Sequence, residues 1–121
     1  MFEIHFYKDD RGNEPVFEYI KNLQGRTDKD SRIKRKKIND YIELLSLHGK
    51  ALGEPFIKHL RGDIWELRPL RNRILFATWI DGGFILLHVF EKKTKKTPPS
   101  EIKQAERNLI DFTERSKEHE K

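Results

Sequence analysis

The sequence DIWELRPLRNRILFATWIDGGFILLHVFEKKTKK, residues 63–96, decides the fold. Three runs within it, residues 63–67, 72–80 and 84–90, are rich in the β-branched and aromatic side chains that favour strands. Residues 69–71 form a turn between the first two runs. Asp-Gly-Gly at 81–83 supplies residues that accept positive φ between the second and third. The stretch therefore predicts an antiparallel meander of three strands.

Side chains alternate along a strand, so each predicted strand has two faces. In the first strand, one face carries Ile64, Glu66 and Arg68, and the other carries Trp65 and Leu67. In the third strand, strict alternation separates Phe84, Leu86, His88 and Phe90 from Ile85, Leu87 and Val89. Both faces are largely apolar, so we expect other parts of the chain to cover the sheet on both sides. Trp65, Phe76 and Trp79 are accordingly expected in the core rather than on an RNA-stacking surface.

Isolated cations interrupt these apolar strands near one edge of the meander. The end of the first strand, the start of the second and the end of the third meet at that edge, where Arg68, Arg73, Lys92 and Lys93 should converge near His88. A single strand-end cation is usually solvated, and its ion pair with a carboxylate such as Glu66 contributes only about 0.2–1 kcal/mol. Several cations on one rim repel each other unless an anion joins them. A phosphate-rich partner is the simplest such anion.

The remaining segments predict one α+β domain over residues 1–121. A first strand at residues 2–7 precedes a helix that starts near Pro15, carries Val16, Ile20 and Leu23 on one face and ends at Gly25. Thr27 or Asp28 can cap a second helix, which runs to Gly49. Its basic run, residues 32–37, is typical of a solvated face that can still attract RNA at long range.

One stretch connects the second helix to the meander, and another follows the meander. Residues 54–60 form an irregular or strand-like connector. Ser100 can cap a last helix that carries Ile102, Ala105 and Leu109, and the polar tail from Ser116 is expected to fray. The result is a small, mostly antiparallel sheet packed with two N-terminal helices and one C-terminal helix.

The amino-acid composition limits the partners and cofactors that the chain is expected to bind. The net charge of +5 favours an acidic partner, either a nucleic acid or an acidic protein. The chain has no cysteine, and its five histidines are scattered without ligand spacing, so we expect neither a metal nor another cofactor. We expect a cytoplasmic protein that does not contact membrane, because there is no apolar run long enough to span one and no signal peptide at the N-terminus.

Three motifs stand out in this order along the chain: GDIWELR at 62–68, NRILF at 72–76, and LLHVFEKKTKKTP at 86–98 followed by a helix. In these motifs the chain resembles the RelE/ParE superfamily of toxins from bacterial type II toxin–antitoxin modules, most closely its phage-derived HigB-like branch. The resemblance covers nearly the whole chain. It implies a RelE-like fold and a ribosome-dependent mRNA endonuclease, or mRNA interferase, that inhibits translation until an antitoxin neutralises it. It further implies that cleavage proceeds by attack of a ribose 2′-hydroxyl on the adjacent phosphate, without a metal ion.

The resemblance also implies site residues. Arg68 and Arg73 match the strand arginines that bind the scissile phosphate, Lys92 and Lys93 match the basic residues after the last strand, and His88 lies near them. Phe90 is a candidate for stacking on a base. The predicted RNA-binding set is completed by Lys58, Arg71, Lys95 and Lys96.

The general base stays open between two kinds of residue. Crowding by other cations favours the neutral form of a lysine, which makes Lys92 or Lys93 a candidate. His88 is the other candidate, because histidine titrates near neutral pH. Its alternation with Leu86 and Phe90 equally fits a buried core histidine.

Two other functions fit the same fold. A ParE-type toxin would inhibit gyrase by protein contact and would not need cations gathered at one rim. A non-catalytic RNA- or DNA-binding module would bind in a salt-dependent way without cleaving. The expected partners of the nuclease are mRNA on the ribosome and a HigA-like antitoxin with a helix-turn-helix domain, in a hetero-oligomer. The antitoxin could cover the rim or block access to the ribosome.

Overall fold

The structure is a computed structural model that describes residues 1–119. Within these residues, three helices and five strands follow one another along the chain. They are β1 (Ile4–Phe6), α1 (Pro15–Gln24), α2 (Lys29–His48), β2 (Ile57–Arg61), β3 (Ile64–Leu67), β4 (Asn72–Thr78), β5 (Phe84–Glu91) and α3 (Pro99–His119). Short 3-10 turns at Gly49–Leu52 and Ile80–Gly82 precede β2 and β5. The predicted α+β class is confirmed.

The strands form one sheet in the order β1-β5-β4-β3-β2, in the part of the chain that the structure describes. Strands β2 to β5 pair antiparallel in sequence order, and β1 pairs parallel to β5. The predicted meander is therefore confirmed. The connector proves to be strand-like, because Ile57–Arg61 pairs with β3 as an edge strand. In the β3–β4 turn the amide of Asn72 donates to the carbonyl oxygen of Pro69 at 3.0 Å, and Leu70 adopts φ 56°.

Helices cover both faces of the sheet. α1 and α2 bury Val16, Leu23, Ile38 and Leu45 against one face, together with Phe76. On the other face α3 packs Ala105 and its neighbours against the side chains of β4 and β5. The carboxylate of Asp28 caps α2 by accepting from the amide of Ser31 at 3.0 Å. Two apolar layers thus enclose the sheet, as the strand pattern predicted.

The aromatic side chains of the strands belong to these layers. Phe76 is fully buried, Trp65 packs against the α1 and α2 layer, and Trp79 packs against the α3 layer. The ring of Trp79 meets that of Phe112 edge to face, with centroids 4.7 Å apart. The prediction that these three aromatics serve the core is confirmed.

A β-bulge in β5 changes which face His88 and Phe90 occupy. Leu75 of β4 lies opposite His88, but the next residue, Phe76, lies opposite Leu86, so Leu87 is an extra residue in β5. An extra residue reverses the alternation beyond it. The prediction that His88 and Phe90 share a face with Leu86 is therefore wrong.

After the bulge, His88 and Phe90 lie on the α3 side with Leu87. The imidazole of His88 contacts the Glu101 carboxylate of α3, and Phe90 packs in the α3 layer. Val89 instead packs on the α1 and α2 side. The bulge is held in place by Asn108 of α3, whose Nδ2 donates to the carbonyl oxygen of Leu87 at 2.9 Å.

The last helix differs from its prediction at both ends. It begins at Pro99, where the missing amide hydrogen costs nothing, and the carbonyl oxygen of Pro98 accepts from the amide of Glu101 at 3.0 Å. Ser100 is thus inside the first turn and is not the cap. The helix continues past Ser116 to His119, because Arg115 bonds to Asp111 one turn earlier and to the backbone of Lys8. Residues 120–121, also predicted to fray, lie outside the described residues.

None of the helices in residues 1–119 has the length and apolar character needed to cross a membrane.

Candidate functional site

Two adjoining clefts occupy the rim where β3 ends, β4 begins and β5 leaves the sheet. The main cleft, of about 230 Å³, lies between β2, β3 and the segment after β5. The side cleft, of about 340 Å³, lies between the β3–β4 turn and the same segment. Arg73, Lys92 and Lys95 line both clefts and join them into one surface. The predicted convergence of cations at this rim is confirmed as geometry.

The sheet itself brings these side chains together. Arg73 lies opposite Phe90 in the β4–β5 register, and the amide of Lys92 donates to the carbonyl oxygen of Arg71 at 2.7 Å. The lysine-rich segment, residues 92–97, is thereby directed across the edge of the sheet instead of away from it. Within the segment, the hydroxyl of Thr94 donates to the carbonyl oxygen of Lys96 at 2.7 Å.

The lining of the main cleft is strongly basic. Among residues 1–119 it contains one carboxylate, that of Glu66, and six cationic side chains: Lys58, Arg68, Arg73, Lys92, Lys95 and Lys96. The side cleft adds Arg71 and Lys93. Three stretches of the sequence, residues 58, 68–73 and 92–96, therefore supply one positive field that would concentrate a polyanion.

Arg73 is the most deeply placed of these cations. Its residue is 6% exposed, and its Nη1 donates to the carbonyl oxygens of Leu70 and Asn72 at 2.8 and 2.9 Å. Burial lowers the pKa of the Arg73 guanidinium, the carboxylate of Glu66 raises it, and the nearby charge of Arg68 lowers it further. The two backbone contacts fix the plane of the guanidinium, so a bound phosphate would meet a preoriented donor.

Arg68 is positioned differently. Its side chain is 25% exposed, and its Nε lies 3.6 Å from Oε2 of Glu66, too far for a hydrogen bond. Among the described residues, this buried Nε has no hydrogen-bond partner. A buried donor without a partner is costly, and an anion in the cleft would satisfy it.

Glu66 is the residue that sequence reasoning missed. It is 2% exposed, and its Oε1 accepts a hydrogen bond from the hydroxyl of Thr97. The alternation of β3 placed Glu66 on the same face as Arg68, which was the available signal. Its burial could not be predicted from β3 alone, because the side chains that cover it come from the segment after β5.

His88 and Phe90 lie beside the clefts instead of in them. Nε2 of His88 is 3.1 Å from the carboxylate of Glu101, and the ring stacks on Phe90 at 6.0 Å between centroids. Phe90 lines a third pocket, together with Lys93 and Glu101. His88 is thus part-buried and paired, which fits the core-histidine alternative better than a role on the rim.

The basic run of α2 belongs to the opposite side of the sheet. Lys34 pairs with Asp30 at 3.3 Å and with Glu91 at 3.1 Å, and Lys36 pairs with Asp40 at 3.2 Å. The Lys36 pair matches the prediction of a solvated helix face. Lys34 does not, because its side chain is 23% exposed and connects α2 to Glu91 of β5. In residues 1–119, no three His, Cys, Asp or Glu side chains are grouped so as to hold a metal ion.

The architecture and the basic rim define a small RelE-like α+β domain with a candidate anion-binding cleft. Residues 26–109 match the family described as phage derived protein Gp49-like (DUF891). The match covers more than half of the chain, so the chain belongs to this RelE-like, toxin-like family. A search of curated proteins gives no match.

Proposed function

We propose that this chain is the toxin of a type II toxin–antitoxin module, in the HigB-like branch, and that it cleaves mRNA on the ribosome. Membership of the phage-derived Gp49-like family supports a toxin. The observation that carries the nuclease is the joined pair of clefts, where the fixed guanidinium of Arg73 and that of Arg68, whose Nε lacks a hydrogen-bond partner among the described residues, line the same basic space.

In the proposed reaction on the ribosome, the RNA supplies both the attacking oxygen and the leaving oxygen. The ribose 2′-oxygen attacks the adjacent phosphorus while its proton passes to a base. The bond from phosphorus to the 5′-oxygen then breaks, and that oxygen takes a proton from an acid. The products are a 2′,3′-cyclic phosphate and a 5′-hydroxyl end.

Arg68 and Arg73 stabilise this reaction in the proposal. Negative charge grows on the non-bridging oxygens in the transition state, and guanidinium groups donate paired hydrogen bonds to such oxygens. Removing one preoriented donor typically lowers the rate by about 10²–10³-fold. Lys58, Lys95 and Lys96 would hold the flanking phosphates, and Arg71 and Lys93 would do so in the side cleft.

Proton transfer is assigned by position. Lys92 lines both clefts and is our first candidate for the base, with Lys93 on the side-cleft wall as the second. Either lysine must lose its own proton before it accepts one. His88 is the weaker candidate, because it lines neither of the two clefts.

The partner in this proposal is a small helix-turn-helix antitoxin of the HigA type that binds the toxin as a hetero-oligomer. It would inactivate the chain by covering the rim or by blocking access to the ribosome. Expression of the chain in bacterial cells, alone and together with a HigA-like helix-turn-helix protein, tests this. Toxicity that no such protein relieves would contradict it.

The nuclease is tested with ribosomes programmed with a defined messenger. Wild type, Arg68→Ala and Lys21→Ala are compared by primer extension, and Lys21, exposed on α1 across the sheet, serves as the matched control. Cuts that need ribosomes, persist in Lys21→Ala and vanish in Arg68→Ala support the proposal. A folded wild-type protein that makes no cuts contradicts it. A gyrase supercoiling assay would then test the gyrase-inhibiting function, and the salt dependence of RNA binding would test the non-catalytic binding function.

A further inference from the structure

The buried carboxylate of Glu66 poses a physical problem. Its side chain is 3% exposed, and a buried charge is costly unless it is paired and hydrogen-bonded. Its neighbours are Arg68 and Arg73, whose Nε atoms lie 3.6 and 3.9 Å from its oxygens. Both distances suit an ion pair, and both are too long for a hydrogen bond.

Because of this spacing, Glu66 does not prevent the two arginines from donating hydrogen bonds to a phosphate. Glu66 offsets their charge from beneath, yet it takes up none of their N–H donors. A carboxylate in bidentate contact would instead occupy the donors that a phosphate needs. Glu66 therefore compensates the charge of two neighbouring guanidinium groups and leaves N–H donors on them for a phosphate.

The hydrogen bond of Glu66 goes to the lysine-rich segment. The hydroxyl of Thr97 donates to its Oε1, and Thr97 is the last residue before the two prolines that lead into α3. At its other end the segment is held by the amide of Lys92 on the carbonyl of Arg71. The four lysines thus lie between one backbone anchor and one side-chain anchor.

We propose that Glu66 and Thr97 form an anchor that positions the lysine-rich segment over the main cleft, which makes Glu66 a positioning residue for RNA cleavage. This inference rests on the proposed nuclease, but the anchor itself can be measured without RNA. Glu66 does not act as the base in this account, since its Oε1 is engaged and the residue is buried.

Thr97→Val tests the anchor, because valine keeps the shape of the side chain and removes the hydroxyl. Thr97→Ser restores a hydroxyl and is the matched control. Hydrogen bonds to charged groups correspond to roughly 10- to 100-fold in an equilibrium constant, so the segment should open about tenfold more often in Thr97→Val. Limited trypsin digestion reads this opening when the cuts after Lys92, Lys93, Lys95 and Lys96 are followed by mass spectrometry.

Cleavage on ribosomes is the second readout. We expect kcat to fall about tenfold in Thr97→Val with a smaller change in KM, and Thr97→Ser to recover it, since a misplaced segment weakens transition-state contacts most. Glu66→Gln, which keeps an oxygen acceptor but loses the charge, should lower kcat as well.

The outcomes separate this inference from the proposed function. Equal trypsin rates in Thr97→Val and wild type would overturn the anchor, whatever the RNA assay shows. Faster digestion with unchanged kcat would overturn the positioning role. If wild type makes no cuts, the nuclease fails, whereas the trypsin comparison still decides whether the anchor exists.

Discussion

The contact between Asn108 and the bulged carbonyl of Leu87 leads to a quantitative prediction about stability. Asn108 is 8% exposed, and its Nδ2 lies 2.9 Å from that oxygen. In Asn108→Leu the side chain keeps a similar size but donates no hydrogen bond. The buried carbonyl then loses its partner, which costs about 1–3 kcal/mol of the free energy of unfolding.

The prediction is checked by urea unfolding followed by tryptophan fluorescence. For small proteins the slope of unfolding free energy against urea is about 1–3 kcal/mol per molar, so the midpoint should fall by roughly 0.5–1.5 M. Asn22→Leu is the matched control, because it makes the same substitution at an exposed position of α1.

We expect the control to shift the midpoint by less than half as much as Asn108→Leu. Equal shifts in the two variants, or no shift in Asn108→Leu, would refute the reasoning that Asn108 supports the bulge.

Three further predictions concern other parts of the molecule. Burial, aided by the hydrogen bond to Asp111, raises the pKa of Tyr7 to about 12, so its share of stability is complete below pH 10 and is lost as the pH rises toward 12. In Tyr7→Phe the free energy of unfolding should lack this loss of about 2–3 kcal/mol between pH 10 and 12, as measured by denaturant titration at each pH. The same dependence of stability on pH in both proteins would contradict it. Lys95→Ala should reduce the slope of the logarithm of the RNA-binding constant against the logarithm of salt concentration by about 0.7, because Lys95 lines both clefts. The RNA carries 2′-O-methyl groups, and an unchanged slope would show that Lys95 does not contact its phosphates. Gly49→Ala should lower the melting temperature, because Gly49 has φ 59° and an added Cβ would lie 2.7 Å from the Phe2 ring. An unchanged melting temperature would contradict both grounds.

The meander was predictable because its signals are local. Residue types select the strands, Asp-Gly-Gly selects one turn, and antiparallel topology then brings the end of β3, the start of β4 and the end of β5 to one edge. Arg68, Arg73 and Lys92 follow from that topology alone.

The bulge was not predictable from polarity. Every residue from Phe84 to Leu87 is apolar, so a shift of one residue exposes no polar group and leaves no mark in the pattern. Its support, Asn108, is 21 residues further along the chain. The faces predicted for His88 and Phe90 were therefore wrong, although the strand that contains them was predicted correctly.

The burial of Glu66 was missed for a similar reason. Sequence reasoning treats a strand-end carboxylate as a surface partner for an arginine. Only the three-dimensional return of the lysine-rich segment places Thr97 on Glu66 and removes the carboxylate from solvent.

A messenger with one altered ribose tests the central claim most directly. Wild-type chain is incubated with programmed ribosomes and either an all-ribose messenger or one with a single 2′-deoxyribose on the 5′ side of the mapped cut. We predict that the cut disappears at the altered position and persists at unaltered sites, with cyclic phosphate and 5′-hydroxyl ends. A cut that persists at the deoxyribose, or no cut in either messenger, would contradict cleavage by 2′-hydroxyl attack in this cleft.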